Sequence, residues 1–296
     1  MSKPPHRLVP EQIESIAALR ARLSREGSIA LVPTMGALHG GHVALIDAAR
    51  RECAVVVVSI FVNPLQFNSQ DDLARYPRTL DADAALCGEH GVDILFVPSA
   101  GELYTEPPEC SVDVGRLGDH LCGRFRPGHF RGVATVVLKL FQIVRPHRAY
   151  FGEKDAQQLA IVKRLVADFN VPLDIVGVPT VREADGLAMS SRNRHLSADD
   201  RQLAICLYLA LLEASRRVSG GERDAAAVRE AAAATIAQSQ TVTLEYLEIV
   251  DPSTMQPVAQ VTGPVRVAGA IRVGGTRLID NVLVDPSSPG RPTPIA

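Results

Sequence analysis

The sequence predicts an α/β protein, a doubly wound parallel sheet followed by a second, smaller α+β unit toward the C-terminus. Three observations predict it. Apolar runs at Ile29 to Val32, Ala54 to Val62 and Val92 to Pro98 alternate with helical patterns, the βαβ rhythm of a parallel sheet. The run from Ala54 to Val62 is apolar at almost every position, as a strand covered by helices on both faces requires. From Arg182 onward the rhythm gives way to long helices and then to consecutive short strands. With 296 residues two domains are expected, 1–182 and 183–284, with a mobile tail over 285–296 rich in Pro and Ser.

Taken in order, Glu11 to Glu26 places Ile13, Ile16, Ala17 and Leu23 at helical spacing before Gly27 and reads as a packing helix. Ile29 to Val32 is the first strand, Val43 to Arg51 an amphipathic helix, and Ala54 to Val62 the second strand, ending at Asn63-Pro64. Thr79 to His90 is a helix and Val92 to Pro98 the third strand. Between Gly101 and Gly132 the pattern is lost. Arg131 to Arg145 carries Val133, Val136, Val137, Leu140, Phe141 and Val144 on one helical face before Pro146. Arg148 to Phe151, Asp155 to Phe169 and Leu173 to Val181 continue as strand, helix and strand, making five strands in the sheet. The second unit reads as one long helix from Ala198 to Val218, an Ala-rich helix ending at 237, and strands Thr243 to Val250, Val265 to Val273 and Thr276 to Asn281.

Composition excludes several classes. The chain is 46% hydrophobic and 22% charged with a formal charge of −2, which is globular and gives no electrostatic footprint for nucleic acid. No stretch reaches the roughly 18 apolar residues of a membrane helix, and Met1 to Pro10 lacks the apolar core of a secretory signal, so a cytoplasmic protein without a membrane partner is expected. The five cysteines, at 53, 87, 110, 122 and 206, form no Cys-x-x-Cys pair and suggest neither a zinc ribbon nor a disulfide framework.

The stretch Pro33 to His42 reads as strand end, tight loop and helix start. Gly36, Gly40 and Gly41 allow close backbone approach to a ligand, and the helix start offers unpaired N–H groups and a positive dipole end. His39 and His42 fall on one side of that start and can donate to the same phosphate oxygens. A Gly-rich turn serves equally as a packing device, and two His at this spacing equally suit metal ligands or a surface. The loop is neither a Walker P-loop nor a Gly-x-Gly-x-x-Gly fingerprint. His39-Gly40-Gly41-His42 resembles the His-x-Gly-His signature of the nucleotidyltransferase superfamily, which implies chemistry at a nucleotide α-phosphate.

Three more segments fall at or beyond strand ends, where doubly wound sheets gather ligands. They are Phe61 to Phe67, Phe151 to Gln158, and Asp185 to Arg194. Lys154, between two acids, is either a solvated charge or the cation that meets an anion on the His loop. Ser190-Ser191-Arg192 is a helix N-cap, an exposed turn, or a set of donors for triphosphate oxygens. Gln66 and Gln158 are neutral amides able to recognise hydroxyls and carboxylates, although most Gln side chains face solvent. Arg124 to Arg131 is an anion-binding flap or a solvated loop, alternatives that the residues leave open.

Pro33 to His39 with His42, Phe61-Val62-Asn63-Pro64 with Gln66-Phe67, Phe151 to Asp155 with Gln157-Gln158, and Asp185 to Asn193 together resemble the pantothenate synthetase family in order and spacing, across nearly the whole chain. The resemblance implies a Rossmann-like N-terminal domain, a smaller lid domain and a homodimer. It implies condensation of pantoate with β-alanine, with ATP split to AMP and pyrophosphate through a pantoyl adenylate. Carried over by residue, it assigns Met35, Gly36, Ala37, Leu38, His39, Gly40, Gly41 and His42 to ATP, with His42 as proton donor and His39 and Lys154 also catalytic. Gly152, Glu153, Lys154, Asp155, Met189, Ser190, Ser191 and Arg192 would complete the ATP site, and Val181 would meet the nucleotide through its backbone. Gln66 and Gln158 would hold pantoate, Gln66 also lying near β-alanine. No residue is assigned to a metal, Mg²⁺ being expected through the ATP phosphates. Gly40 departs from the acidic residue expected in many relatives. Competing readings are a nucleotidyltransferase that leaves the adenylate on its product, and a nucleotide-binding regulatory or scaffold protein that keeps the fold without catalysis.

Overall fold

A computed structural model of the chain describes residues 9–24, 26–104, 106, 108–237 and 241–287. Two compact units divide the chain. The first is drawn from Met1–Val114, Pro127–Glu153 and Ile161–Pro179, the second from Gly115–Arg126, Lys154–Ala160 and Thr180–Ala296.

The first unit is built on six parallel strands, β1 (Glu11–Ile13), β2 (Ile29–Thr34), β3 (Val55–Ile60), β4 (Ile94–Phe96), β5 (Arg148–Gly152) and β6 (Asp174–Val178). The helices along this stretch are α1 (Ile16–Leu23), α2 (Gly40–Glu52), α3 (Gln70–Arg75), α4 (Leu80–Glu89), α5 (Ala100–Leu103), α6 (Leu121–Phe125), α7 (His129–Val144) and α8 (Ala156–Asp168). Of these, α6 and the first residues of α8 belong to the second unit. Spatial strand order is β1-β4-β3-β2-β5-β6, so the winding reverses between β2 and β5, which pair at Ala30↔Arg148 and Leu31↔Ala149. That reversal is the topological switch point, and loops leaving the carboxyl ends of β2 and β5 open a crevice there. All six residues of β3 are buried, as its apolar run requires. Ile46 and Ala49 of α2 pack with Val32, Val56, Val58 and Tyr150, fixing the axis of the helix that starts at the switch point. Each fully buried aliphatic side chain contributes about 1.5–3 kcal/mol.

Two helical expectations are corrected. Glu11 to Glu26 is not one helix: Ser15 Oγ accepts from Ala18 N–H at 3.2 Å and caps α1, while Glu11, Gln12 and Ile13 pair in register with Ile94, Leu95 and Phe96. The sheet therefore has six strands rather than five, because tertiary pairing overrides the helical spacing of Ile13 and Ile16. Ala198 to Val218 divides into α9 (Ala198–Ala204) and α10 (Cys206–Ser219), since the Ile205 N–H turns to the carbonyl of Leu203 instead of one four residues back. Strand ends also move. β6 stops at Val178, so Val181 lies in the following loop rather than at the strand's end.

The second unit also holds α11 (Ala225–Ala237) and an antiparallel sheet of β7 (Thr243–Val250), β8 (Val265–Val273) and β9 (Thr276–Val284). Leu207, Leu211, Ala214 and Val218 of α10 and Val228, Ala232 and Ile236 of α11 bury their faces with Val267 and Ile271 of β8. The spacing of three and four along each helix is what puts those residues on one side. No helix among the described residues is long and apolar enough to cross a membrane. Beyond Ser287 the tail, like residues 1–8, lies outside the described residues.

Candidate active site

The loop leaving β2 is held by groups far away in sequence. Thr34 Oγ1 donates to the Ser59 carbonyl at 2.8 Å and accepts from Gly36 N–H at 3.1 Å. Gly36 has φ +80°, which favours glycine, and a Cβ there would lie 3.1 Å from both Asp83 Oδ2 and Ile60 Cγ2, a contact that would press on both. Ala37 follows with φ 51°. Asp83 of α4, only 3% exposed, accepts from Ala37 N–H at 2.9 Å and from Leu38 N–H at 2.8 Å. Thr79 Oγ1 donates to the same carboxylate at 3.2 Å. A buried carboxylate with three donors, two from one loop, sets that loop's path through charge-assisted bonds.

Helix α2 then begins with a cap made of two imidazoles. His39 Nδ1 accepts from Gly41 N–H at 3.1 Å, and His42 Nδ1 accepts from His39 N–H at 3.3 Å. The arrangement is a capping box in which histidines stand where Ser/Thr and Glu are usual. The ring centroids are 4.2 Å apart. An Nδ1 that accepts carries no proton, so each neutral ring has its proton on Nε2, which makes that atom a donor. The expectation of bare amides at this helix start is corrected for three of them, because the N–H groups of His39 and Gly41 are spent on the cap and that of His42 bonds the His39 carbonyl at 2.8 Å. An anion here would be met by imidazole N–H groups and the helix dipole.

Gln66 sits beside this loop in the same unit. It ends a 3-10 turn, Pro64–Gln66, and its Nε2 lies 3.1 Å from Met35 Sδ. Its Oε1 accepts from Asn63 Nδ2 at 3.1 Å, and its carbonyl is 2.8 Å from His129 Nδ1 at the start of α7. Asn63, 1% exposed, also donates to the Gly132 carbonyl at 3.1 Å and accepts from Tyr104 OH at 3.1 Å. Burial pushes the Tyr104 phenol up to about 12, which keeps it a donor. A Cβ on Gly132 would come within 2.3 Å of the Leu65 carbonyl, so only glycine lets α7 approach the turn that carries Gln66.

In the second unit Lys154 lies in the 3-10 turn Glu153–Asp155, and its carbonyl accepts from Asn281 Nδ2 at 2.8 Å. Gly152 and Glu153, just before it, belong to the first unit. Asp155 is exposed and Gln158 half-buried. Gln157 next to it is buried, donating to the carbonyls of Leu117 and His120 at 2.8 Å each. Arg182 forms a two-pronged pair with Asp280 at 2.6 and 3.0 Å, donates to the Gly186 carbonyl at 3.0 Å and stacks 4.1 Å over the Tyr208 ring. Burial raises the Asp280 carboxyl, and the Arg182 guanidinium opposes that rise. The Val181 carbonyl accepts from Met189 N–H at 3.0 Å, closing the loop on itself. Ser190 caps the 3-10 turn Ser191–His195 by accepting from Arg192 N–H at 3.3 Å, and Asn193 donates to Glu183 and to the Ala188 carbonyl.

Within the first unit, then, Met35 to His42 and Gln66 come together at the switch point, with Gly152 and Glu153 leaving the neighbouring strand. Within the second, Lys154 and the 181–192 loop are each tied to β9. Asp83 and Asn281 lie outside the sequence motifs, and Asn63 and His129 lie within segments noted there without a role of their own, yet these four hold Ala37, Leu38, Gln66 and Lys154, while Asp280 holds Arg182. For Asp83 a signal existed: it shares the buried face of α4 with Cys87, four residues on, where an unpaired acid would be costly. Among the described residues no three His, Cys, Asp or Glu side chains converge on a metal position.

Comparison with known proteins agrees with this arrangement. The family model described as Pantoate-beta-alanine ligase matches residues 9–283. The bifunctional pantoate ligase/cytidylate kinase of Synechococcus elongatus is 54% identical over 282 residues, covering 94% of this chain and 54% of that protein. The chain thus spans about half the length of such fused relatives. The pantothenate synthetase of Heliobacterium modesticaldum is 52% identical over 276 residues, covering 93% of this chain and 98% of that one. The crystal structure of pantothenate synthetase from Thermus thermophilus superimposes with a TM-score of 0.88 at 48% identity, covering 92% and 98% of the two chains. That of pantoate-beta-alanine ligase from Francisella tularensis, complexed with beta-gamma ATP and beta-alanine, gives 0.77 at 34% identity over 93% and 97%. With the matched region spanning both units and every segment of the site, the chain belongs to the pantoate–β-alanine ligase family.

Proposed function

We propose that the protein condenses pantoate with β-alanine, splitting ATP to AMP and pyrophosphate through a pantoyl adenylate, and so makes pantothenate. The observation that carries this reading is the imidazole-capped start of α2 at the switch point, in a chain of this family. In this reading Met35 to His42 with Gly152 to Asp155, Val181 and Met189 to Arg192 bind ATP, and Gln66 and Gln158 grip pantoate. The enzyme works in the cytoplasm as a homodimer, as the family resemblance implies.

A carboxylate is a poor acylating agent, and adenylation overcomes this in two steps. In the first, a pantoate carboxylate oxygen bonds to the α-phosphorus while the bond to the β-phosphate oxygen breaks, releasing pyrophosphate. Negative charge grows on the phosphoryl oxygens. In this reading His39 and His42, each donating from Nε2, the positive end of α2 and the Lys154 ammonium stabilise that charge, so catalysis is positioning and electrostatic preorganisation. In the second, the β-alanine amine attacks the acyl carbon, AMP departs with the acyl oxygen, and the amine sheds a proton. No enzyme nucleophile is required.

Mg²⁺, which the family resemblance implies, would be carried on the nucleotide's own phosphates and would neutralise their charge. The adenylate is hydrolysable, and the Ser190 to Arg192 loop is the candidate for excluding water from it. The test supplies pantoate and ATP without β-alanine. Bound acyl adenylate and an equivalent of pyrophosphate are expected, with AMP release following only when amine is added. AMP release independent of amine, or no pyrophosphate at all, would overturn the reading.

A further inference from the structure

We propose that Asn281 of β9 is a positioning residue for Lys154, an inference that rests on the catalytic role given to Lys154 above. The contact is specific. Asn281 Nδ2 donates to the Lys154 carbonyl at 2.8 Å, across 127 positions of sequence. The amide cannot turn to present its oxygen instead, because Arg266 donates to Oδ1 from the neighbouring strand β8. Asn281 is 5% exposed, so the bond is made where water competes little.

The strand around Asn281 is fixed in its turn. Asp280 Oδ1 accepts from Asn281 N–H at 2.7 Å, and the same carboxylate takes both prongs of Arg182. Neighbouring residues of β9 thus anchor Lys154, through Asn281, and Arg182 at the root of the 182–192 loop, through Asp280. Lys154 itself sits on a short element. It lies in a three-residue 3-10 turn between a strand and a helix, a geometry with few hydrogen bonds of its own. A flexible ammonium on a four-carbon stem is useful in a transition state only if its Cα is held, and a displacement of about 1 Å costs on the order of 100-fold in rate.

A double-mutant cycle tests this, measured as single-turnover adenylate formation from pantoate and MgATP in the full chain. Asn281→Ala is expected to lower the rate about 10- to 100-fold with the KM for ATP changed less than about threefold, since the group acts through Lys154 rather than on substrate. In a Lys154→Ala background the same substitution should cost less than about threefold. Asn281→Asp keeps the acceptor for Arg266 and loses the N–H donor. It should show the same loss and the same dependence on Lys154, and it serves where the alanine variant folds poorly. An equal factor in both backgrounds would mean a scaffold role and overturn the proposal, as would a wild-type rate in Asn281→Asp. A Lys154→Ala variant that itself adenylates at the wild-type rate is a separate result, refuting the role of Lys154 on which the proposal stands.

Discussion

Asp83→Asn changes one atom and tests how the switch-point loop is held. The carboxylate accepts from Ala37 N–H on Oδ2 and from Leu38 N–H on Oδ1, at 2.9 and 2.8 Å. Asparagine has the same shape but only one acceptor, so its amide N–H would face one of those backbone N–H groups. Leaving that buried donor unpaired costs about 1–3 kcal/mol. The surviving bond loses its charge assistance, which removes roughly 1 kcal/mol more. The expected destabilisation is therefore about 2–4 kcal/mol, a large share of the 5–15 kcal/mol typical of a folded domain. Because the loop runs directly into His39, adenylate formation should fall as well. Urea unfolding followed by circular dichroism gives the first quantity and single-turnover kinetics the second. A transition within about 0.5 kcal/mol of wild type, together with an unchanged rate, would refute the claim that Asp83 organises the loop.

Other expectations address the proposed roles directly. His42→Ala and Lys154→Ala should each slow adenylate formation at least ~10²-fold while circular dichroism stays unchanged; a near wild-type single-turnover rate in either removes that residue from the catalytic set. Gln66→Ala and Gln158→Ala should weaken pantoate use far more than ATP binding and reduce discrimination against deoxy analogues, because a site built for hydroxyls is left with unpaired amides; equal losses by titration calorimetry and kinetics would move that Gln to the nucleotide site. Nitrogen NMR of histidine-labelled protein at neutral pH should find His39 and His42 protonated on Nε2, and an Nδ1–H signal from either would contradict the cap. Arg216 first and Arg217 second hold the Glu213 carboxyl down at about 2, against an ordinary 4.5, so its contribution is present above 4.5 and is lost as pH falls toward 2. The stability gap between wild type and Glu213→Gln should accordingly be present at neutral pH, below about 1 kcal/mol for so exposed a pair, and close in acid.

The fold was legible where a segment's own pattern decides its structure. β3 reads as a doubly covered strand because its run is apolar almost throughout, and every position is indeed buried; α7 reads as a helix because Val133, Val136, Val137, Leu140, Phe141 and Val144 recur at helical spacing, and all six are buried. β1 was not legible, for its three residues become a strand only by pairing with β4, about eighty positions on. The adjacency of β2 and β5, which makes the switch point, is likewise a fact of strand order. Alternation of strands and helices predicts that such a point exists without saying which two loops share it.

The site divides in the same way. Residues that would touch substrate cluster in short motifs, since one loop presents several of them at once: Met35 to His42 after β2, and Met189 to Arg192 in the second unit. Their holders arrive from elsewhere, Asp83 from 45 positions away, His129 from 63 and Asn281 from 127. Each of these looks ordinary in its own neighbourhood. Asp83 reads as an acid favoured by a helix dipole, His129 as a residue of a charged loop, and Asn281 as the end of a strand. The cap on α2 shows what such a reading misses. From sequence, His39 and His42 are two donors beside a row of bare amides. In the structure each ring gives up Nδ1 to close one of those amides, and the same bond that caps the helix assigns the proton to Nε2. Helix stability and the direction of hydrogen-bond donation are then one constraint. A substitute that supplies only the cap, such as Ser at 39 or Glu at 42, would keep the helix and lose the donor, whereas a Lys would supply an N–H donor and lose the cap.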